Sequence, residues 1–347
     1  MIFIAVFISL SILIIAHELG HFFAARIFGV KVEEFGFGYP PRIFGKKIGK
    51  TIWSINALPF GGFVKIKGED GEGDVDKNSF ASQKPWKRSV MLLAGVFINL
   101  VMGFLIFCAV FMIGSSQGVA ITNVSEGSPA YVVGIKSGDI ISSVSSQNDS
   151  ISKITNTDSF ISFIHKHVQD ELTLSVKRDS QTVLYTLQGR ENPPEGQGSL
   201  GIELINLGME RLSFFSAIGS AFQATVNITS AVVQSFVSLF LNIFVNPSVI
   251  QNIAGPVGIF SIAGKAGNFG FAYLLEIIGI ISINLAVLNC IPFPALDGGR
   301  ALMIIIEKFK GSPVSKKSQQ IVNTIGFAAL LILMVFVTVQ DVSKLIH

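Results

Sequence analysis

The sequence predicts a polytopic α-helical membrane protein with four transmembrane helices, a membrane-associated β-hairpin region and one further α/β domain. Three observations lead there. Of the 347 residues, 50% are hydrophobic and only 14% charged, whereas a soluble domain carries about 25% charge. Four apolar runs, at residues 2–28, 90–113, 271–291 and 321–339, are each long enough to cross a bilayer core. Lysine and arginine gather in two of the loops between them, an asymmetry that orients spans in a membrane.

The first run lacks a basic leader and a small-residue cleavage site, so it is expected to be a retained span and not a signal peptide. The loop after it holds Lys31, Arg42, Lys46, Lys47, Lys50, Lys65, Lys67, Lys77, Lys84, Lys87 and Arg88. The loop before the last run holds Arg300, Lys308, Lys310, Lys316 and Lys317. Both loops are assigned to the cytoplasm. The acid-rich stretch from 114 to about 212 then lies outside, as do both termini. A net charge of +3, with no basic stripe interleaved with aromatics, speaks against a nucleic-acid partner. Cys108 and Cys290 sit in separate apolar runs and read as small hydrophobes, with no disulfide framework implied.

Residues 1–113 form an N-terminal membrane core. Within it, about 30–67 mixes β-branched and aromatic residues with Gly and Pro: Phe35-Gly36-Phe37-Gly38, Ile52-Trp53-Ser54-Ile55 and Phe60-Gly61-Gly62-Phe63-Val64-Lys65-Ile66. Such runs predict β-hairpins, and their aromatics suit the membrane interface. Residues 69–76 read as a solvated acidic loop, with a calcium site as the lesser alternative. Asn99, the lone polar residue of the second span, reads as an interhelical hydrogen-bonding group and not a catalytic one.

Residues 114–205 contain strand-like runs at 119–121, 140–144, 172–176 and 183–187 and a helix at 157–167. Ser128-Pro129-Ala130 and the stretch 134–141 resemble the PDZ fold as it occurs in membrane and periplasmic proteases. That resemblance implies a domain that adds an extended peptide, such as a freshly cut chain terminus, to a sheet edge, or that acts as a size filter. His165 and His167 have metal-like spacing, but nothing else in the sequence converges on them; they are read as a solvated helix end. Residues 206–269 are assigned to amphipathic juxtamembrane helices. The uncharged stretch 214–241 repeats its polar residues at nearly helical spacing, so it is expected to lie along or dip into the outer leaflet. As a fifth span it would place Asp297 and His21 on opposite sides. Residues 270–347 form the C-terminal membrane core.

The chemistry is organised around His17-Glu18-Leu19-Gly20-His21, set inside the first apolar run. Histidines at i and i+4 share a helical face, so both imidazoles can point at one metal ion, with Glu18 held beside it. That is the arrangement of a zinc hydrolase: neutral nitrogen ligands, an open position for water and a carboxylate to take its proton. Three ionisable groups in mid-span are costly unless something compensates them. After the third span, Pro292 and Pro294 stop the helix, and Gly298-Gly299 allow a tight turn and close approach around Asp297. Irregular backbone at this depth is tolerated where protein or a water-filled cavity covers it. Asp297 is therefore the expected third ligand. Glu33 and Glu34 lie beyond the helix, Glu276 lies near the outer face, and Glu307 is placed to form a salt bridge in the basic loop. Two neutral histidines and one aspartate leave zinc at +1, which bound hydroxide brings near neutrality.

Taken together, His17-Glu18-Leu19-Gly20-His21, one PDZ-like insert and Leu296-Asp297-Gly298-Gly299 resemble the site-2 protease family across almost the whole chain. The likeness is closest to the bacterial type that cleaves anti-sigma factors and regulates the sigma-E response. The resemblance implies a zinc metalloprotease of the bacterial inner (plasma) membrane that cuts single-span membrane proteins within their transmembrane segments. It implies that His17, His21 and Asp297 ligate the zinc, that Glu18 is the general base, and that Asn289, Pro292 and Pro294 help hold the substrate strand. The edge strand Phe63-Val64-Lys65-Ile66 is a second candidate for pairing with an unwound substrate. The best-known members have two PDZ domains where this chain has room for one. Two rivals stand beside this reading: an inactive scaffold, against which intact Glu18 argues, and a zinc transporter, which would need polar groups along several spans.

Overall fold

The computed structural model describes residues 2–69, 76–115, 118–178, 181–194, 196–208, 211–242, 255–268, 270–312 and 314–346. In chain order the elements are α1 (Ile2–Ile27), β1 (Val32–Ile48), β2 (Thr51–Ile66), α2 (Pro85–Ile113), β3 (Gly118–Val124), α3 (Pro129–Val132), β4 (Ile140–Ser145), β5 (Ser150–Ile151) and α4 (Thr157–Lys166). There follow β6 (Glu171–Arg178), β7 (Gln181–Gln188), β8 (Ile202–Leu207), α5 (Phe214–Asn242), α6 (Pro256–Asn268), α7 (Phe271–Cys290), α8 (Asp297–Lys310) and α9 (Lys316–Ile346). Among the described residues, α1, α2, α5, α7 and α9 are long and apolar enough to cross a membrane. Four of these helices contain the runs expected to span. The other, α5, is one unbroken helix of 29 residues. Its polar side chains bond along the helix: Thr225 Oγ1 donates to the Ala221 carbonyl at 2.8 Å, and Gln223 Nε2 to Asn227 Oδ1 at 2.8 Å. Internal bonding of this kind lowers the cost of polar groups against lipid. α5 thus meets the requirements of a span as well as those of a surface helix.

The chain folds as two compact units, one of Met1–Phe107, Gly219–Gly264 and Leu275–His347, the other of Cys108–Ile218 and Lys265–Leu274. In the first, Ala24, Ala25, Val30, Val32, Ile66, Met91, Leu92 and Ile304 form a common core. The expected hairpins are one long hairpin that folds back on itself. Phe35 of β1 lies opposite Val64 and also opposite Trp53, so both ends of β2 flank the first half of β1. Glycines and prolines within the strands bend them without ending them, so one hairpin looks like several short ones in the sequence. Arg88 bonds Glu307 at 2.8 Å, the salt bridge expected for that glutamate, and Arg300 bonds Glu69 at 2.5 Å. Residues 70–75 of the acidic loop lie outside the described residues. Cys108 and Cys290 are both free thiols.

The second unit holds a sheet in the order β7-β6-β4-β3-β8, with β5 paired to β4. Alternate apolar residues of its strands bury with Phe160, Phe163 and Ile164 of α4, the period-2 and period-3.6 faces meeting as patterning demands. Ser128 caps α3 and Asn156 caps α4, each accepting a backbone N–H three residues on. β8 carries the sheet on to Leu207, past the boundary at 205 read from the sequence.

The end of α4 differs from expectation, because two carboxylates converge on His167. Its Nδ1 lies 2.6 Å from Asp170 Oδ2 and its Nε2 lies 3.1 Å from Asp149 Oδ2, which Lys166 also bonds at 2.8 Å. The Asp170 hydrogen bond, helped by Asp149, raises the His167 pKa above 6.5. Lys166, then His167, hold the Asp149 carboxyl below its ordinary 3.8. The His167 contribution to stability is therefore complete below pH 6.5 and lost as pH rises through its raised pKa, whereas that of Asp149 is lost as pH falls through its lowered one. NMR titration is expected to give His167 a midpoint above 6.5, and Asp170→Asn is expected to lower it. A midpoint unchanged in that variant would contradict the pairing.

Candidate metal centre

On α1, a spacing of four residues puts His17 and His21 on one face, 7% and 6% exposed. Their Nε2 atoms are 3.1 Å apart. Asp297, 280 positions from His17, places Oδ2 3.0 Å from His17 Nε2 and 3.4 Å from His21 Nε2. Four-coordinate zinc with bonds of about 2.0–2.1 Å holds its ligand atoms about 3.3–3.4 Å apart. The three separations fit one such ion, and two nitrogens with one carboxylate oxygen are a donor set zinc accepts. Among the described residues no other three histidine, cysteine or carboxylate groups bring one ligand atom each within 4.8 Å of one another; Asp170 and Asp149 meet different ring nitrogens of His167.

Each part of this geometry has a local cause. The imidazoles fit because α2 carries Gly95 beneath them. A Cβ there would lie 2.6 Å from His21 Nε2 and 2.7 Å from His17 Nε2. Gly20, inside the histidine motif, lets the same two helices close up, since its Cβ would lie 2.6 Å from the Ala94 carbonyl oxygen. His21 Nδ1 is 2.8 Å from the Met91 carbonyl. A carbonyl only accepts, so Nδ1 carries the proton and the Nε2 lone pair faces Asp297. His17 Nδ1 faces the Asn99 side chain, whose amide nitrogen stands 3.3 Å away.

Asp297 is the first residue of α8, behind Leu296 at the N-cap. Its carboxylate goes to the imidazoles and not to capping. Side chains on Gly298 or Gly299 would overlap the carbonyls of Cys290, Ile291 and Phe293, so the paired glycines are what let α8 begin against the end of α7. Ala295, two residues before Asp297, has φ 73°, a left-handed conformation that costs a non-glycine residue about 1–2 kcal/mol. α9 braces this turn. Asn323 Oδ1 accepts the Ala295 N–H at 3.4 Å, and a Cβ on Gly326 would meet the Pro294 carbonyl oxygen at 2.7 Å.

Glu18 is half-buried beside β2, where a Cβ on Gly62 would lie 3.9 Å from its Cγ. Phe63, Val64 and Lys65 sit on β2 opposite Gly36, Phe35 and Glu34 of β1. The structure thus brings the Phe63–Lys65 strand beside Glu18. Asn289 is half-buried in the last turn of α7, Pro292 is exposed, and Pro294 packs against α9. Of the other carboxylates weighed, Glu34 pairs with Arg42 and Glu307 with Arg88. Met91, Gly95, Asn323 and Gly326 were not read from the sequence as site residues. The signal the sequence offered was the small pair Ala94-Gly95 in the second span.

Buried imidazoles and a carboxylate at one point, carried by helices of membrane-crossing character, fit the class of membrane metalloproteins. Comparison with known proteins gives the particular family. Residues 5–333 match peptidase family M50. The chain is 34% identical over 335 residues to a protein of Clostridium perfringens named as a zinc metalloprotease, with 96% of each chain covered. A protein of the same name from Clostridium acetobutylicum is 33% identical over 339 residues, covering 96% of this chain and 95% of its own. The regulator of sigma-W protease RasP of Bacillus subtilis is 25% identical over 427 residues, covering 99% of this chain and 98% of its own. The chain belongs to peptidase family M50, the site-2 protease family, and is a multi-pass membrane zinc metalloprotease.

Proposed function

We propose that this protease hydrolyses a peptide bond inside the transmembrane segment of single-span membrane proteins, of the anti-sigma-factor or remnant-signal-peptide type. One observation carries the proposal: the convergence of His17, His21 and Asp297 at 3.0–3.4 Å part-way along a span-length helix. His17 stands 10 residues before the end of α1 at Ile27, about 15 Å at 1.5 Å per residue, so a bond cleaved there belongs to a lipid-embedded segment. His17, His21 and Asp297 would hold the zinc. When bound, zinc supplies Lewis acidity, which acidifies water and polarises a carbonyl. Glu18 takes the proton of the attacking water and returns it to the leaving amine. A helical substrate must unwind first, because its carbonyls are engaged in its own hydrogen bonds. β2 offers an unwound chain a strand at Phe63, Val64 and Lys65, next to Glu18; the segment of Asn289, Pro292 and Pro294 lies before the Asp297 ligand and flanks the same chain.

The same reading places α1, α2, α7 and α9 across the inner membrane and α5 along its outer leaflet, with the first and third loops cytoplasmic. The six-stranded unit is then a single extracytoplasmic PDZ-like domain, with both termini on its side. β8 ends the sheet order, beside a small cavity of about 70 Å³ lined by Ile161, Ile164, Gly201 and Ile202, which supports capture of a peptide terminus. The test is cleavage of a single-span substrate co-reconstituted in liposomes, with the products mapped by mass spectrometry. A cut within the apolar segment is expected. A cut only in the flanking aqueous sequence would overturn the proposal.

A further inference from the structure

We propose that Asn99 is the positioning residue for His17: its amide oxygen accepts the Nδ1–H of that imidazole and so turns the Nε2 lone pair toward the zinc. The inference rests on the zinc assignment above, and three observations carry it. First, Asn99 is 1% exposed and its side chain faces His17 Nδ1 at 3.3 Å, so water is not at hand to replace it. Second, His17 Nε2 is committed to the centre, 3.0 Å from Asp297 and 3.1 Å from His21 Nε2. A neutral imidazole whose Nε2 offers a lone pair carries its proton on Nδ1, and a buried donor of that kind needs an acceptor. Third, the Asn99 amide oxygen is buried without a hydrogen-bond partner, while the amide nitrogen faces Nδ1. Turning the amide about its Cβ–Cγ bond exchanges two atoms of nearly equal size. It replaces a donor facing a donor with a matched N–H···O bond.

α2 then serves both ligands from one stripe. The Met91 carbonyl takes the His21 proton, Gly95 makes room for both rings, and Asn99 takes the His17 proton, each one turn from the last. Asn99 is itself held in place, because its backbone carbonyl accepts Ser282 Oγ–H from α7 at 2.8 Å.

The experiment measures zinc affinity by chelator competition on the purified full chain, wild type beside Asn99→Leu and Asn99→Asp. Melting of the metal-free proteins is followed in parallel. Asn99→Leu removes the acceptor and is expected to weaken zinc binding about 10–100-fold, the usual cost of losing a partner of a ligating histidine. Asn99→Asp keeps an acceptor and is expected to bind zinc at least as tightly as wild type. A packing role alone predicts that both variants bind equally, so equal affinities overturn the proposal, as does wild-type affinity in Asn99→Leu. Should Asn99→Leu fail to fold, ¹⁵N shifts of His17 in zinc-loaded wild type decide: a protonated, hydrogen-bonded Nδ1 supports the proposal and a bare Nδ1 overturns it. Zinc-free wild-type protein would instead sink the zinc assignment, which keeps the two failures distinct.

Discussion

Glu18→Gln is expected to slow peptide hydrolysis about 10²–10⁴-fold, the range ascribed to a positioned general acid–base, while zinc content stays at the wild-type level. Glutamine keeps the length and shape of the side chain, so its packing beside Gly62 of β2 is retained. What it loses is the capacity to hold a proton. The structure places His17, His21 and Asp297, and not Glu18, around the shared point, so the metal should survive the change. Measuring turnover and bound zinc on the same preparation checks both halves. A variant that loses its zinc would make Glu18 a ligand, and a variant with wild-type turnover would remove it from the chemistry.

Asp297→Asn is expected to have the opposite signature: zinc is lost, and activity goes with it. The substitution keeps the shape of the side chain and removes its negative charge. With two neutral imidazoles and aspartate the zinc centre carries +1. With asparagine it carries +2 in apolar surroundings, where an uncompensated charge is most costly. The loss of affinity should exceed the about 10–100-fold that an outer partner is worth. Metal analysis of the purified variant tests this, and excess zinc in the assay should restore little activity. Wild-type zinc content in Asp297→Asn would mean that the 3.0 Å approach to His17 is an ordinary hydrogen bond and that another group completes the site.

The two variants probe a site whose parts differ in how far they were legible. The helical face shared by His17 and His21 follows from spacing alone, because an α-helix repeats every 3.6 residues whatever surrounds it. The break around Asp297 was legible for a similar reason, since Pro292 and Pro294 fix their own backbone and Gly298 and Gly299 leave room for a close approach. Elimination of Glu307 was legible too, from its setting among lysines, and it pairs with Arg88. The pairing of His167 with Asp149 was not, because it joins the end of α4 to a turn beyond β4. Nor was the double pairing of Phe35, which sets both ends of β2 against one stretch of β1. A strand pattern records which residues alternate and not how many partners the strand takes.

By itself, then, the sequence determined which segments are long and apolar enough for a membrane, which residues carry ligand chemistry, and where the backbone must bend. All are properties of a few neighbouring residues. Only the tertiary structure decided what stands behind the candidate site: the Met91 carbonyl at His21, Asn99 at His17, Gly62 beside Glu18, and Asn323 and Gly326 beneath the turn that delivers Asp297. The reason is physical. A backbone carbonyl or N–H has no side-chain identity to read, and a glycine that makes room for a ring looks like any other glycine until the helix it faces is in place.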